Sequence, residues 1–176
     1  MKFALPLSKL PSIPMIAASV IAATMLAAPA QAASSSAPAD VQQQVDQVIS
    51  GHPDARQTGP GTVTFSNGVV LTIPAADTTA GVCDSGSYCF FQYTNYGGRK
   101  LTFKDCSATG LWQYLTDYGF GNMTSSWQNY SPNTVVVYNQ ATTPPTALWT
   151  ENPSTESTNV GTATDNKADA FQTYCG

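Results

Sequence analysis

Phe91-Gln-Tyr-Thr-Asn-Tyr-Gly-Gly98 sets two aromatics, Phe91 and Tyr96, five residues apart and places Gly98 two residues further on. The stretch sits in a series of short β-rich or aromatic runs: Tyr88 to Tyr93, Lys100 to Phe103, Thr134 to Tyr138, Ala147 to Trp149 and Phe171 to Tyr174. Gly, Asn, Asp and Pro separate them, and no long amphipathic helix interrupts, so the spacing predicts a mainly β, antiparallel sandwich or barrel, with Leu111 to Leu115 as a short helical exception.

Before this region, Asp40 to Ile49 carries Val41, Val45, Val48 and Ile49 at helical spacing. Asp40 is a fitting cap, and Gly51 and Pro53 end the segment. Gly61 to Phe65 and Val69 to Ile73 are β-rich runs joined by Ser66-Asn67-Gly68, a hairpin signature in which Asn-Gly supplies the turn's positive φ. Helix and hairpin together are too small to be stable alone. Residues 40–74 are therefore an appendage packed on the main domain or a pro-region, and 75–81 read as the linker to a domain at 82–176.

The chain has 176 residues. It opens with Lys2 and Lys9, an apolar run from Ile16 to Ala28, and Ala30-Gln31-Ala32, the order of a secretory signal peptide with cleavage expected after Ala32. The run is shorter than the roughly 20 residues that span a bilayer, so no membrane insertion is expected after cleavage. Residues 33–39 read as a flexible leader. The mature part holds five basic against eleven acidic residues, a formal charge of −6. Nucleic acid is thereby a poor partner. The one basic group, Arg99, Lys100 and Lys104, reads as a solvated strand edge.

Cys83, Cys89, Cys106 and Cys175 all lie in the exported part, where thiols pair. Three connectivities exist. Cys83 with Cys89 and Cys106 with Cys175 is preferred, because the close pair meets across one short loop. The C-x5-C spacing is too wide for a structural zinc knuckle, and the sole histidine, His52, is remote from it.

Downstream of the opening stretch, Tyr118-Gly-Phe-Gly-Asn122-Met-Thr-Ser125-Ser126-Trp127 looks like the loop and strand that close a motif begun by Phe91, Tyr96 and Gly98. The two pieces, in that order, resemble a βγ-crystallin Greek key. With the exported Cys-x5-Cys, residues 81 to 140 resemble the secreted actinobacterial peptidase inhibitor family I36, whose founding activity is inhibition of a metalloproteinase. The resemblance implies a double Greek-key sandwich, with the helix and hairpin appended at the N-terminus. Asp165 to Phe171 can be laid over Gly121 to Trp127 as the second copy, sharing Asn and the aromatic position, although no counterpart of the Tyr96-Gly97-Gly98 turn follows Tyr138.

Many βγ-crystallins bind calcium through such loops, with oxygen donors that suit a hard cation. Here Gly121 replaces the first acid or amide, and Asp169-Ala170 replaces the final hydroxyl pair. The resemblance thus leaves Asn122, Ser125, Asp165, Asn166 and Asp169 as a weak calcium set, and no cofactor is required. Catalysis is not expected, and no catalytic residue is assigned: His52 lies in the N-terminal segment, and the spacing of Asp105, Asp117 and Glu151 sets no two across a cleft. The aromatics Tyr93, Tyr96, Trp112, Tyr114, Tyr118, Trp127 and Tyr130 read mostly as packing residues.

The function expected is that of a secreted, monomeric inhibitor of extracellular peptidases, foremost metallopeptidases, acting on the active-site cleft. The sequence marks no inhibitory loop. The alternatives are a non-inhibitory extracellular module binding calcium or envelope glycans, and a secreted toxin.

Overall fold

The computed structural model describes residues 37–76 and 78–176. The signal peptide, its cleavage point after Ala32 and residues 33–36 of the leader lie outside the described residues. A 13-residue helix, α1 (Ala39–Gly51), precedes eleven strands: β1 (Arg56–Gly59), β2 (Thr62–Thr64), β3 (Val70–Thr72), β4 (Tyr88–Tyr93), β5 (Gly97–Phe103), β6 (Leu111–Tyr114), β7 (Ser126–Asn129), β8 (Thr134–Asn139), β9 (Thr146–Glu151), β10 (Thr155–Ser157) and β11 (Ala170–Tyr174).

The strands form two antiparallel sheets, in the orders β1-β2-β3-β5-β4-β7-β10 and β6-β11-β8-β9. The first Greek key, β4 to β7, lends its third strand, β6, to the second sheet, where it pairs with β11. The second key, β8 to β11, lends β10 to the first sheet, where it pairs with β7. Each key is thus completed by the other, as in a βγ-crystallin double Greek key. Pairing Trp127 with Phe90 on β4 and Phe171 with Val137 on β8 puts the two aligned aromatics at equivalent places in the two keys.

The sandwich closes over aromatic rings. Phe171 sits 4.8 Å from Phe103 and 5.0 Å from Phe90, and Tyr88 stacks on Phe103 at 5.7 Å. Alternation along the strands accounts for this, since residues two apart share a face. Cys83 bridges to Cys89 and Cys106 to Cys175, the second tying the C-terminus to the loop after β5.

The N-terminal segment continues the same sheet. Leu71 of β3 lies opposite Leu101 of β5, and Val41, Val45, Val63, Phe65 and Leu71 share one buried cluster with Phe103, Tyr118 and Phe120. Gly68 supplies the positive φ of its turn, 85°, and Asn67 donates its amide N–H to the Tyr118 hydroxyl at 2.6 Å. Asp40 does not cap α1; Pro38 holds the cap position and Asp40 lies in the first turn.

Two further expectations are corrected. Leu111 to Tyr114 is a strand, β6, paired with β11, and only Leu115–Tyr118 forms a 3-10 turn, because β11 offers a ladder that this short run joins. The trio Arg99, Lys100 and Lys104 is not a solvated edge: β3 covers β5, and Lys100 is buried.

Candidate functional site

At the end of β4 the chain enters a 3-10 turn, Thr94–Tyr96, in which Asn95 and Tyr96 have φ of 55° and 60°. The Phe91 ring lies beneath, 5.4 Å from that of Tyr96. Gly98 follows with φ 68°, and a Cβ there would fall 2.7 Å from the Tyr93 ring, so only glycine lets the hairpin fold over. Ser126 fastens both ends: its Oγ donates to the Tyr93 carbonyl at 2.6 Å and accepts the Tyr96 N–H at 3.1 Å. Ser125 donates its N–H to the Phe91 carbonyl, and Trp127 is buried on β7. Phe91 beneath, Gly98 within and Ser126 across from it lock this hairpin.

The two loops before the closing strands lie back to back. The Asn122 N–H donates to the Ala168 carbonyl and the Asn166 N–H to the Thr124 carbonyl, with both asparagines left-handed at φ 57° and 55°. Asp165 Oδ2 accepts from the Asn166 side chain, and Asp169 Oδ2 accepts the Gln140 N–H. Three buried oxygens there, Thr124 Oγ1, Asp165 Oδ1 and Asp169 Oδ1, have no protein partner. Oxygen donors of this kind are what a hard cation takes, although the described residues hold no cluster of three or more His, Cys, Asp or Glu side chains.

A third element stands beside the locked hairpin. The segment entering β4 carries Val82, whose side chain is 64 % exposed, the highest value among the large apolar residues described. Its carbonyl accepts a hydrogen bond from the buried Lys100 ammonium at 2.9 Å, and the next N–H, of Cys83, donates to Gln128 Oε1 at 2.8 Å. Burial pulls the Lys100 ammonium below its ordinary value, and Asp84 opposes that shift. Gln128 is held in turn, its amide donating to Glu156 at 2.9 Å and to the Tyr130 hydroxyl at 3.1 Å, while that hydroxyl donates to Glu156 at 2.6 Å. The short bond to the Glu156 carboxylate pushes the Tyr130 phenol up to about 12 and draws the Glu156 carboxyl below its usual range. Val82, Lys100 and Gln128 escape a reading of the sequence, because 45 residues separate the Cys83 N–H from its Gln128 partner.

The remaining candidates disperse. Tyr118 and Trp127 are buried, Tyr93 is 59 % exposed, and Trp112 and Tyr114 project from β6, with Trp112 packed 4.8 Å from Tyr138. Asp105 and Asp117 line one groove with these two aromatics, a juxtaposition that their spacing does not reveal. Glu151 is fully buried, with Oε1 accepting the Trp149 indole N–H at 3.0 Å. His52 packs edge-on against Phe65 at 5.3 Å, within the N-terminal segment.

Among solved structures, the chain is similar to one from work on the evolution of the eye lens βγ-crystallin domain fold, at 10 % identity and TM-score 0.47, over 61 % of this chain and 98 % of that one. It is also similar to a βγ-crystallin domain from Clostridium beijerinckii, at 22 % identity and TM-score 0.39, over 50 % and 97 % of the two chains. None of the curated proteins compared matches it. The model of peptidase inhibitor family I36 matches residues 76–150. Such a family implies a peptidase as partner, and two disulfides with no free cysteine are consistent with an extracellular protein. That match runs from the segment that bears Val82 through β4 to all but the last residue of β9.

Proposed function

We propose that the protein is a secreted inhibitor of extracellular peptidases, metallopeptidases foremost, that blocks the active-site cleft as an intact, rigid domain and needs no cofactor to do so. The match of residues 76–150 to an inhibitor family carries this reading. The architecture supports it, because an inhibitor succeeds when its contact loops are ordered before binding and little side-chain and loop freedom remains to be lost. Here the segment before β4 is tied by Cys83–Cys89, and the β4–β5 turn is pinned at both ends by Ser126. The test is a titration of the mature, oxidised protein against a thermolysin-like metallopeptidase and a serine peptidase in parallel. Stoichiometric loss of the metallopeptidase activity alone is expected. Full activity of both at micromolar protein rejects the inhibitor reading.

The unpartnered oxygens of Thr124, Asp165 and Asp169 favour a second property, weak calcium binding at the paired loops. Extracellular calcium modules commonly bind in the region of about 10⁻⁴ to 10⁻³ M. Millimolar calcium is expected to raise the melting temperature by a few degrees in wild type and not in Asp165→Asn/Asp169→Asn. An equal response of the two proteins, or none in wild type, rejects the site.

A further inference from the structure

Val82 is anomalous on this surface. A valine held out into water gains nothing for folding, since its apolar area stays hydrated. Yet costly groups position it. Lys100, a buried cation, spends its ammonium on the Val82 carbonyl, and the buried Gln128 spends its amide oxygen on the N–H that follows. Burying a lysine is unfavourable unless its charge is well bonded, and the bond it makes here orders one exposed loop. Cys83, the next residue, is anchored to Cys89 inside β4, which is fully buried. The peptide between Val82 and Cys83 is therefore clamped at its oxygen, at its nitrogen and by a covalent bridge, while the Val82 side chain remains free to project.

The surroundings extend the knob. A hollow of about 150 Å³ beside Val82 is lined by Thr79, Asn95, Tyr96 and Gln128, so the locked β4–β5 turn forms its other wall. Tyr93, which leads into that turn, is the second most exposed of the large apolar residues described. The downstream flank of the knob is fixed to the fold by the disulfide.

We propose that Val82 is the anchor by which this protein engages its target peptidase, inserting into an apolar pocket of the enzyme's substrate cleft, with Tyr93 covering the rim. Interfaces concentrate their binding energy in a few well-packed anchors, and an anchor on a pre-ordered backbone loses least on docking. Lys100 and Gln128 are positioning residues that act through the loop backbone. This inference rests on the inhibitor reading above.

The experiment compares wild type, Val82→Asp, Val82→Lys, Tyr93→Ala and, as a control on the other sheet, Trp112→Ala, against the peptidase that wild type inhibits. The inhibition constant and the melting temperature are both recorded. Charged replacements of Val82 are expected to raise the inhibition constant by about 100-fold with an unchanged melt, and Tyr93→Ala by about 10-fold. Trp112→Ala is expected to inhibit as wild type does. If wild type inhibits and both Val82 variants inhibit equally well, the anchor assignment is wrong and the inhibitor reading stands. If wild type inhibits no peptidase, the inhibitor reading fails and the anchor falls with it. Two charges of opposite sign keep the test decisive should one variant misfold.

Discussion

Expressed without residues 33–74, the remaining chain is expected to lose its cooperative melt and to self-associate. The segment supplies Val41, Val45, Val63, Phe65 and Leu71 to the cluster that also holds Leu101, Phe103, Tyr118 and Phe120. Phe65 packs 4.9 Å from Tyr118, which in turn lies 5.4 Å from Phe103. Removing the segment re-exposes part of at least three large side chains, each worth roughly 1.5–3 kcal/mol when fully buried, so a loss of about 5 kcal/mol is expected. Domains of this size commonly hold only about 5–15 kcal/mol in total. It also bares the β5 backbone along Lys100 to Thr102, an open edge that invites pairing between copies. Thermal unfolding and size-exclusion chromatography of the truncated, oxidised protein check this. A sharp melt near that of the longer protein, with a monomer elution volume, would show that residues 33–74 are a dispensable pro-region.

Replacing Glu151 by Gln is expected to stabilise the protein at neutral pH by about 3 kcal/mol and to flatten the pH dependence of its stability. Glu151 is completely buried on the inner side of β9, and burial pushes its carboxyl from 4.5 up to about 8, with the Trp149 indole N–H opposing the shift. The sign follows from proton binding. Between pH 4.5 and about 8 the unfolded chain has released this proton and the folded one keeps it, so stability falls as pH rises through that window. The contribution is fully present below the unfolded value and is lost as pH passes the folded value. Gln carries no charge at any pH and keeps an oxygen for the Trp149 indole. Denaturant unfolding at pH 5 and pH 8 tests this: wild type should lose about 3 kcal/mol more than Glu151→Gln between the two. Parallel losses would assign the pH dependence to another group.

These effects illustrate how differently the parts of the molecule can be read. The hairpin of Phe91, Tyr96 and Gly98 is legible because its determinants are local: an aromatic under a turn and a glycine that a Cβ would replace only by striking the Tyr93 ring. The asparagines of the paired loops are legible for the same reason, since each takes a left-handed angle that asparagine tolerates. Leu111 to Tyr114 is misread because its partner, β11, lies about 60 residues downstream, and a four-residue run with mixed character takes its conformation from the ladder it joins.

The sequence by itself determined the β class and the amphipathic face of α1 and favoured the short Cys83–Cys89 bridge, because periodicity, turn chemistry and near-neighbour spacing are written along the chain; the order of the two Greek keys came through the resemblance to βγ-crystallins. Only the tertiary structure decided that β3 seals β5, that Lys100 is buried to hold a loop, that Glu151 is enclosed, and that Val82 is clamped in the open. Each of these depends on which distant groups meet across or between the sheets. Burial, charge and exposure are properties of that meeting, and no window of sequence contains both partners.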